Sequence, residues 1–217
     1  MTNPITLHGA FERMPRHRHR EAYVALVLAG RYVEAGDHGR LRIEAGQAVF
    51  HDRYESHCNA FFGHGAQVLN LPLPAGGVGE VQGQVADADA IARLAERDLV
   101  QAAELLRATF RLCAARLDDW PDALASALAD DPALNLAAWA DARGIAPQSL
   151  SRGFRRAYGT TPKRYRLELR AVQALRRLPG WRGSMAMLAA ETGFADQAHM
   201  TRAIVAMTGV APTRLPG

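Results

Sequence analysis

The last 84 residues of the chain contain a repeat, and this repeat constrains the fold more than any other feature of the sequence. One copy starts at Leu136 and the other at Met185, with the same order of apolar, small and glycine positions. The first glycine recurs after 49 residues and the second after 50. The corresponding pairs are Ala140 and Ala189, Gly144 and Gly193, Gly159 and Gly209, and Pro162 and Pro212. The pattern predicts helix, tight turn and helix, twice in succession, which is the arrangement of a helix-turn-helix.

The residue types at the repeated positions have a physical explanation. Gly144 and Gly193 stand where a first helix should end, and glycine suits the left-handed backbone that often ends a helix. Pro147 suits the first turn of the next helix, where its missing N–H is not needed. Leu150 and Phe154 are four residues apart, so they share one face and point inward. We therefore expect the opposite face of this second helix to meet solvent or a partner.

That opposite face is polar in both copies. In the first copy it holds Gln148, Ser151, Arg152 and Arg155, which we call the first polar face. In the second copy it holds Gln197, His199, Thr201 and Arg202, the second polar face. Side chains of these types can bond to base edges and phosphates in DNA. An ordinary helical hairpin with a solvated polar face is the alternative, and two matched copies favour DNA recognition over it.

The distribution of charge supports this interpretation. Residues 134–217 contain 13 Lys and Arg and 4 Asp and Glu, a net charge of +9, whereas residues 1–133 have a net charge of −5. Ten basic residues fall between Arg143 and Arg177, with Glu168 as the single acidic one. A basic region joined to an acidic one is expected of a protein with a DNA-binding part and a partner-binding part.

The repeated segment resembles the DNA-binding domain of the AraC/XylS family of bacterial transcription regulators. The resemblance spans Leu134 to Arg214 and is strongest in the stretch 193–199, Gly-Phe-Ala-Asp-Gln-Ala-His. It implies that two recognition helices enter successive segments of the major groove, about one helical turn apart. It also implies base contacts from Gln148, Ser151 and Arg152 and from the second polar face. The predicted DNA-binding set is completed by Arg155 and by Lys163 and Arg164, which open the connecting helix.

The second recognition helix departs from the family's pattern. It continues through 202–207 as Arg-Ala-Ile-Val-Ala-Met, where the family usually has a Phe and two basic residues. Phosphate contacts from this helix should therefore be weaker, and we expect the first helix to dominate affinity.

The first 85 residues predict a small β-barrel. Short strand-like runs alternate with glycines, at 23–28, 48–50 and 67–71. Gly46 followed by His57 is similar to the second half of a cupin motif. This part of the chain therefore resembles the cupin-like sensor barrel found in front of AraC-type DNA-binding domains, in a short form.

Histidines are concentrated in the same region, which holds seven of the eight. His17 and His19 would share one side of a strand. Together with His57 they could hold a divalent ion such as Zn, Fe or Mn. Catalytic cupins usually add a Glu about four residues after the second His; Tyr23 stands there, which argues against full enzyme chemistry. The alternatives are that these four residues hydrogen-bond a ligand in a sensor pocket, or that the histidines are merely surface or core residues.

A helical linker is predicted over residues 86–131, between the barrel and a DNA-binding domain at 132–217. An apolar seam with helical spacing suits an antiparallel partner helix in a homodimer. It consists of Leu99, Ala103, Leu106, Phe110, Cys113 and Leu117. The alternative is that the seam packs on the chain's own barrel. Pro121 and Asp130–Ala133 interrupt the helical pattern, and the latter is the predicted hinge.

Length and composition agree with a two-domain α+β protein. A chain of 217 residues with 48% hydrophobic content can bury two modest cores. The two cysteines, Cys58 and Cys113, predict neither a disulfide framework nor a zinc finger. The sequence has no signal-peptide pattern and no apolar run of membrane-spanning length, which predicts a cytoplasmic protein without a membrane partner.

The sequence thus predicts a transcription regulator that is not an enzyme. Its expected partners are double-stranded promoter DNA, a second copy of the chain, a small-molecule effector and, for an activator, RNA polymerase. The competing class is a metal-dependent cupin enzyme, an isomerase or dioxygenase with a DNA-binding appendage. A third interpretation is a DNA-binding protein whose barrel only dimerises, and a barrel filled with large apolar side chains would support it.

Overall fold

The computed structural model describes residues 4–73, 81–113 and 116–215, and the chain divides into two compact units, Met1–Leu117 and Asp118–Gly217. The N-terminal unit contains the strands and two helices. Its elements are β1 (Ile5–His8), β2 (Arg13–Arg18), β3 (Tyr23–Gly36), β4 (Gly39–Glu44), β5 (Gln47–His51), β6 (Ser56–Pro72), β7 (Gln82–Gln84), α1 (Ala88–Ala95), α2 (Leu99–Thr109) and β8 (Arg111–Leu112). The predicted strand runs at 23–28, 48–50 and 67–71 are confirmed, within β3, β5 and β6.

The two longest strands, β3 and β6, organise the N-terminal sheet. They pair antiparallel with each other; β6 also pairs with β1 and β2, and β3 with β4 and β5. In the described residues the path of paired strands runs from β1 to β8 without returning, so the sheet is an open one.

Both faces of β3 are covered by apolar side chains. Val24 and Leu26 face a core shared with α1 and α2. Ala25 and Val27, on the alternate positions, face a second core with Tyr32. A strand buried on both faces loses the alternation of polar and apolar residues, which explains its continuous apolar sequence.

The predicted apolar seam of the linker does not form one helix. Helix α2 ends at Thr109, the backbone of Phe110 is extended, and Arg111 begins strand β8. Ala103, Leu106 and Phe110 are buried in the core between sheet and helices. The seam therefore packs on the chain's own sheet, which is the second of the two alternatives that its spacing left open. Three seam residues, Phe110, Cys113 and Leu117, lie beyond the helix.

The C-terminal unit is helical in all its regular elements within residues 118–215. Its helices are α3 (Trp120–Asp130), α4 (Leu136–Asp141), α5 (Pro147–Tyr158), α6 (Pro162–Arg177), α7 (Met185–Glu191) and α8 (Gln197–Thr208), followed by a 3-10 turn at Pro212–Arg214. The predicted pairs are α4 with α5 and α7 with α8, so the two helix-turn-helix motifs are confirmed. No helix in the described residues is long and apolar enough to cross a membrane.

The two motifs turn with the same hydrogen bond. In the first copy the amide of Ile145 donates to the carbonyl of Ala140 at 3.0 Å, and in the second the amide of Phe194 donates to Ala189 at 2.8 Å. The glycine before each amide has a positive φ, 62° and 78° respectively. A bond that spans five residues over a left-handed glycine is the Schellman ending of a helix, as the repeated glycines predict.

The boundary between the units falls at 117, inside the predicted linker 86–131. Helix α3 belongs to the C-terminal unit, where the Tyr158 hydroxyl donates to Asp122 at 2.7 Å. Gly153 of α5 lies against the ring of Trp120 so closely that a Cβ would collide with it. These contacts are distant in sequence, so the local helical pattern could not show which unit α3 joins.

The predicted hinge at Asp130–Ala133 also lies inside the C-terminal unit. A guanidinium group of Arg166 donates to the carbonyl of Leu134 at 2.7 Å, and that of Arg170 donates to the carbonyl of Pro132. The proline does end a helix, as predicted, but α6 holds the segment that follows it.

The unit boundary also changes how charge is shared. Five acidic residues of the predicted linker belong to the C-terminal unit, namely Asp118, Asp119, Asp122, Asp130 and Asp131. The N-terminal unit therefore has 13 basic and 13 acidic residues, and the C-terminal unit has a net charge of +4. The excess positive charge remains on the helix-turn-helix side of the chain.

Replacing Leu106 with Ala should lower the free energy of unfolding of the N-terminal unit by about 2–5 kcal/mol, because the side chain is fully buried under the sheet. Val100→Ala on the same helix is the control; its side chain is 60% exposed and the change should stay within about 0.5 kcal/mol. Urea unfolding of both variants measures the difference. Loss of a dimer at unchanged stability would instead identify α2 as an interface between chains.

Candidate nucleic-acid interface and polar cavity

Helix α5 is held in place by one apolar face. Leu150, Phe154 and Tyr158 are buried, and the rings of Phe154 and Tyr158 stack at 4.6 Å between centroids. Tyr165 of α6 packs edge-on against both. The helix starts at Pro147 and ends at Gly159, whose φ is 67°. This packing fixes the direction in which the other face points.

All four residues of the first polar face are exposed on α5: Gln148, Ser151, Arg152 and Arg155. Arg156, which the sequence analysis did not single out, is exposed beside them. Arg143 lies just before the helix, with its guanidinium 4.0 Å from the centre of the Trp139 ring. In the sequence, only their positive charge indicated that Arg143 and Arg156 belong to this surface, because neither stands at a repeated position.

The second polar face is more mixed. Gln197 and Arg202 are exposed on α8, whereas Thr201 is half-buried. The ring of His199 packs edge-on against Phe194, with centroids 5.2 Å apart, and its backbone amide donates to Asp196 at 2.7 Å. His199 therefore helps to fix the start of α8, which restricts what its ring can reach.

The two basic residues that open α6 differ in their surroundings. Lys163 is exposed. Arg164 is also exposed, but its Nε donates to the buried carboxylate of Glu168 at 2.9 Å. Part of the Arg164 guanidinium is thus committed to the chain itself. The guanidinium of Arg170 contacts the backbone carbonyl of Pro132. Burial, and to a smaller extent the positive charge of Arg166, lower the pKa of Arg170.

A cavity of about 540 Å³ lies in the N-terminal unit. It opens on the face of the sheet that carries Ala25, Tyr32 and Val68, and most of its other lining residues are of polar types. Among its lining residues are His17, His19, Tyr23, Glu34, His51 and His57. The third interpretation from the sequence, an interior filled by apolar side chains, does not describe this unit.

Strand register brings these residues together. His17 on β2 lies opposite His57 on β6, after a register shift in β2 between Met14 and His17. Such a bulge reverses the face on which the following residues point. Tyr23 on β3 lies opposite His51 on β5. The sequence predicted His17 and His57 as neighbours from their types, but the pairing itself depends on the bulge.

The predicted metal-binding histidines do converge. Each of His17, His19 and His57, which we call the outer trio, offers a ligand atom within 4.8 Å of the other two. The His17 and His57 rings are 4.4 Å apart between centroids. Burial, and then the charge of His17, lowers the pKa of His19. The Tyr23 hydroxyl lies 3.3 Å from Nε2 of His57. Burial, and to a smaller extent the charges of Glu34 and Glu55, raise the pKa of Tyr23 well above its ordinary value.

A second group shares His57 and was not predicted. Glu34 and His51, with His57, form what we call the inner trio; all three are buried and their ligand atoms lie within 4.8 Å of one another. Burial, with Glu55 and Asp37, raises the pKa of Glu34 to about 8, and burial lowers the pKa of His51 to about 3. Burial, and then His51, also lowers the pKa of His57.

Several polar atoms of the inner trio have no hydrogen-bond partner within the described part of the chain. They are Oε2 of Glu34, Nε2 of His51 and Nδ1 of His57. A buried polar group left unpaired costs roughly 1–3 kcal/mol. Folded proteins tolerate few such groups unless a ligand, ion or water satisfies them.

Comparison with known proteins agrees with the helical pairs of the C-terminal unit. Residues 139–215 match a family described as a helix-turn-helix domain. None of the curated proteins compared with this chain matches it.

Solved structures give more distant similarities. Fatty-acid-bound ToxT from Vibrio cholerae is 10% identical with a TM-score of 0.43, over 96% of this chain and 92% of ToxT. The C-terminal domain of AraT, a response regulator from Geobacillus stearothermophilus, is 20% identical with a TM-score of 0.42, over 48% of this chain and 92% of that domain. KdgF from Halomonas sp. is 13% identical with a TM-score of 0.29, over 30% of this chain and 61% of KdgF.

The helix-turn-helix match begins within α4 and includes both glycine turns and the stretch 193–199 that carries the resemblance. The C-terminal unit therefore contains an AraC-type helix-turn-helix domain, the DNA-binding domain of transcription regulators.

Proposed function

We propose that this protein is a cytoplasmic, ligand-responsive regulator that reads a promoter site with α5 and α8. The observation that carries the proposal is the pairing of two helix-turn-helix motifs, each fixed by the same glycine turn, in one unit, with a polar cavity in the other. Recognition helices that follow each other in the chain suit two boxes about one turn of DNA apart.

We expect the first polar face to supply most of the binding energy. Its four side chains are all exposed, and they include two arginines, which suit bidentate contacts to guanine or phosphate. On α8 the exposed side chains are Gln197 and Arg202, since His199 is packed on Phe194. The second box should accordingly be read with less discrimination than the first.

The N-terminal sheet is the proposed sensor, of the cupin-like kind. Its effector, a small organic molecule or a divalent ion (Zn, Fe or Mn), occupies the cavity and contacts His17, His19, Tyr23 and His57. An effector changes transcription only if it binds one state of the protein more tightly than another. The proposed homodimer uses a surface other than the covered seam of α2, and as an activator the protein would contact RNA polymerase.

The convergence of the outer trio favours one alternative, a metal-dependent cupin enzyme of isomerase or dioxygenase type with a DNA-binding appendage. Turnover of a substrate by the purified protein, lost together with bound metal in a His17→Ala/His57→Ala variant, would establish it. Metal binding without turnover leaves the sensor as the function.

Selection of bound duplexes from random DNA tests the regulator directly. We expect the purified chain to enrich a site with two boxes about one helical turn apart, and to hold it at moderate salt. Binding that is weak, independent of sequence and abolished by salt, with and without candidate effectors, would contradict sequence-specific recognition.

On the selected duplex, Arg152→Ala should reduce discrimination between the right and a wrong base by about 1–3 kcal/mol, because it removes a base contact. Lys163→Ala should weaken binding to all duplexes alike and lower the slope of log affinity against log salt by about 1, because it removes a phosphate contact. Titrations at several salt concentrations measure both.

Arg164→Ala should resemble Lys163→Ala in its loss of affinity, with some loss of stability because Glu168 loses a partner. If Arg152→Ala also acts uniformly on every duplex, then α5 does not read bases as proposed.

A further inference from the structure

The inner trio is a side-chain cluster that the predicted ligand set does not include. Oε2 of Glu34 and Nε2 of His51 are 3.6 Å apart, and the rings of His51 and His57 are 4.5 Å apart between centroids. Protein atoms bound at 2.0–2.2 Å to one Zn²⁺ ion end up about 3–4 Å from each other. The distance between Glu34 and His51 therefore matches that of two ligands around a single ion, and the ligand atoms of all three residues lie within 4.8 Å of one another.

Unsatisfied atoms distinguish the inner trio from an ordinary buried polar cluster. One atom of each member, in Glu34, His51 and His57, lacks a hydrogen-bond partner in the described part of the chain, and all three are at most 4% exposed. A metal ion satisfies carboxylate and imidazole lone pairs at the same time, which a mutual hydrogen bond in this cluster does not do.

Charge also favours the inner trio over the outer one. A divalent ion that leaves water is stabilised by an anionic ligand, and Glu34 supplies a carboxylate, whereas the outer trio consists of three imidazoles. Two imidazoles and one carboxylate are a common ligand set for divalent first-row transition metals. Glu34 thus provides the carboxylate that is missing where Tyr23 stands in the sequence.

We propose that Glu34, His51 and His57 bind a divalent transition-metal ion, such as Zn²⁺, at the floor of the cavity. Three protein ligands leave a coordination position that faces the cavity, where an effector with a donor atom completes the site. His17 and His19 then contact the effector and are not the main ligands of the ion. The inference rests on the proposed function only in treating the cavity as the sensing site, since ion binding is measured without DNA.

Titration of the metal-free, full-length protein with Co²⁺ tests the site through the visible absorption of the bound ion. We expect one ion per chain. Glu34→Gln and His51→Gln should each weaken Co²⁺ binding by more than about 100-fold, which exceeds the loss usual for partners outside the ligand shell. His64→Gln, an exposed histidine outside the lining of the cavity, is the matched control and should bind as the natural chain does.

The opposite pattern of losses would identify the outer trio as the metal site. If His17→Gln or His19→Gln abolishes Co²⁺ binding while Glu34→Gln retains it, or if the natural chain binds no Co²⁺, the proposal is overturned. X-ray absorption of the natural chain with Zn²⁺ gives a second measurement that needs no variant. Two imidazoles with oxygen ligands support the inner trio, and three imidazoles contradict it.

DNA binding separates this inference from the proposed function. If the ion binds as expected but the affinity for the selected duplex is the same with and without the ion, the metal site is supported and metal sensing is refuted. If metal binding is absent but the protein still selects a two-box duplex, the regulator stands and the site is refuted.

Discussion

The antiparallel pairing of β3 with β6 is the constraint on which the N-terminal unit depends. Because successive side chains point to opposite faces of a strand, this register decides which residues meet the helices and which meet the cavity. It places Val24 and Leu26 under α1 and α2, and it places Glu34 on the same face as His57. A slip of one residue would exchange the two sets, so the apolar cover and the polar cavity are two results of one hydrogen-bond ladder.

The C-terminal unit could be predicted because its signals are local. The pattern of a helix pair with a glycine turn spans about 25 residues, and its second copy supports the same prediction independently. The membership of α3 could not be predicted, since it depends on Trp120 meeting Gly153 and on Asp122 meeting Tyr158. The choice between the two alternatives for the apolar seam was out of reach for a related reason. Its spacing continues past Thr109, but the backbone of Phe110 is extended and its side chain is buried in the core beneath the sheet.

The cavity was predictable only in part. His17 and His19 are two apart in sequence, so their common side follows from strand geometry alone. Glu34 and His51 stand in no recognisable motif, and only the pairing of β3 with β5 and β6 brings them to His57. The carboxylate of Glu34 therefore reaches the same cavity as Tyr23, but from farther along β3.

Strand β3 also separates the cavity from the core beneath α2 by the thickness of a single strand. On one side it bounds the cavity through Tyr23 and Ala25, and on the other it supports α2 through Val24 and Leu26. Tyr23 and Val24, and likewise Ala25 and Leu26, are neighbours in the same short stretch of backbone. A displacement of this stretch would therefore move a wall of the cavity and the support of α2 together. The end of α2 continues directly into β8, the last strand before the chain leaves the N-terminal unit.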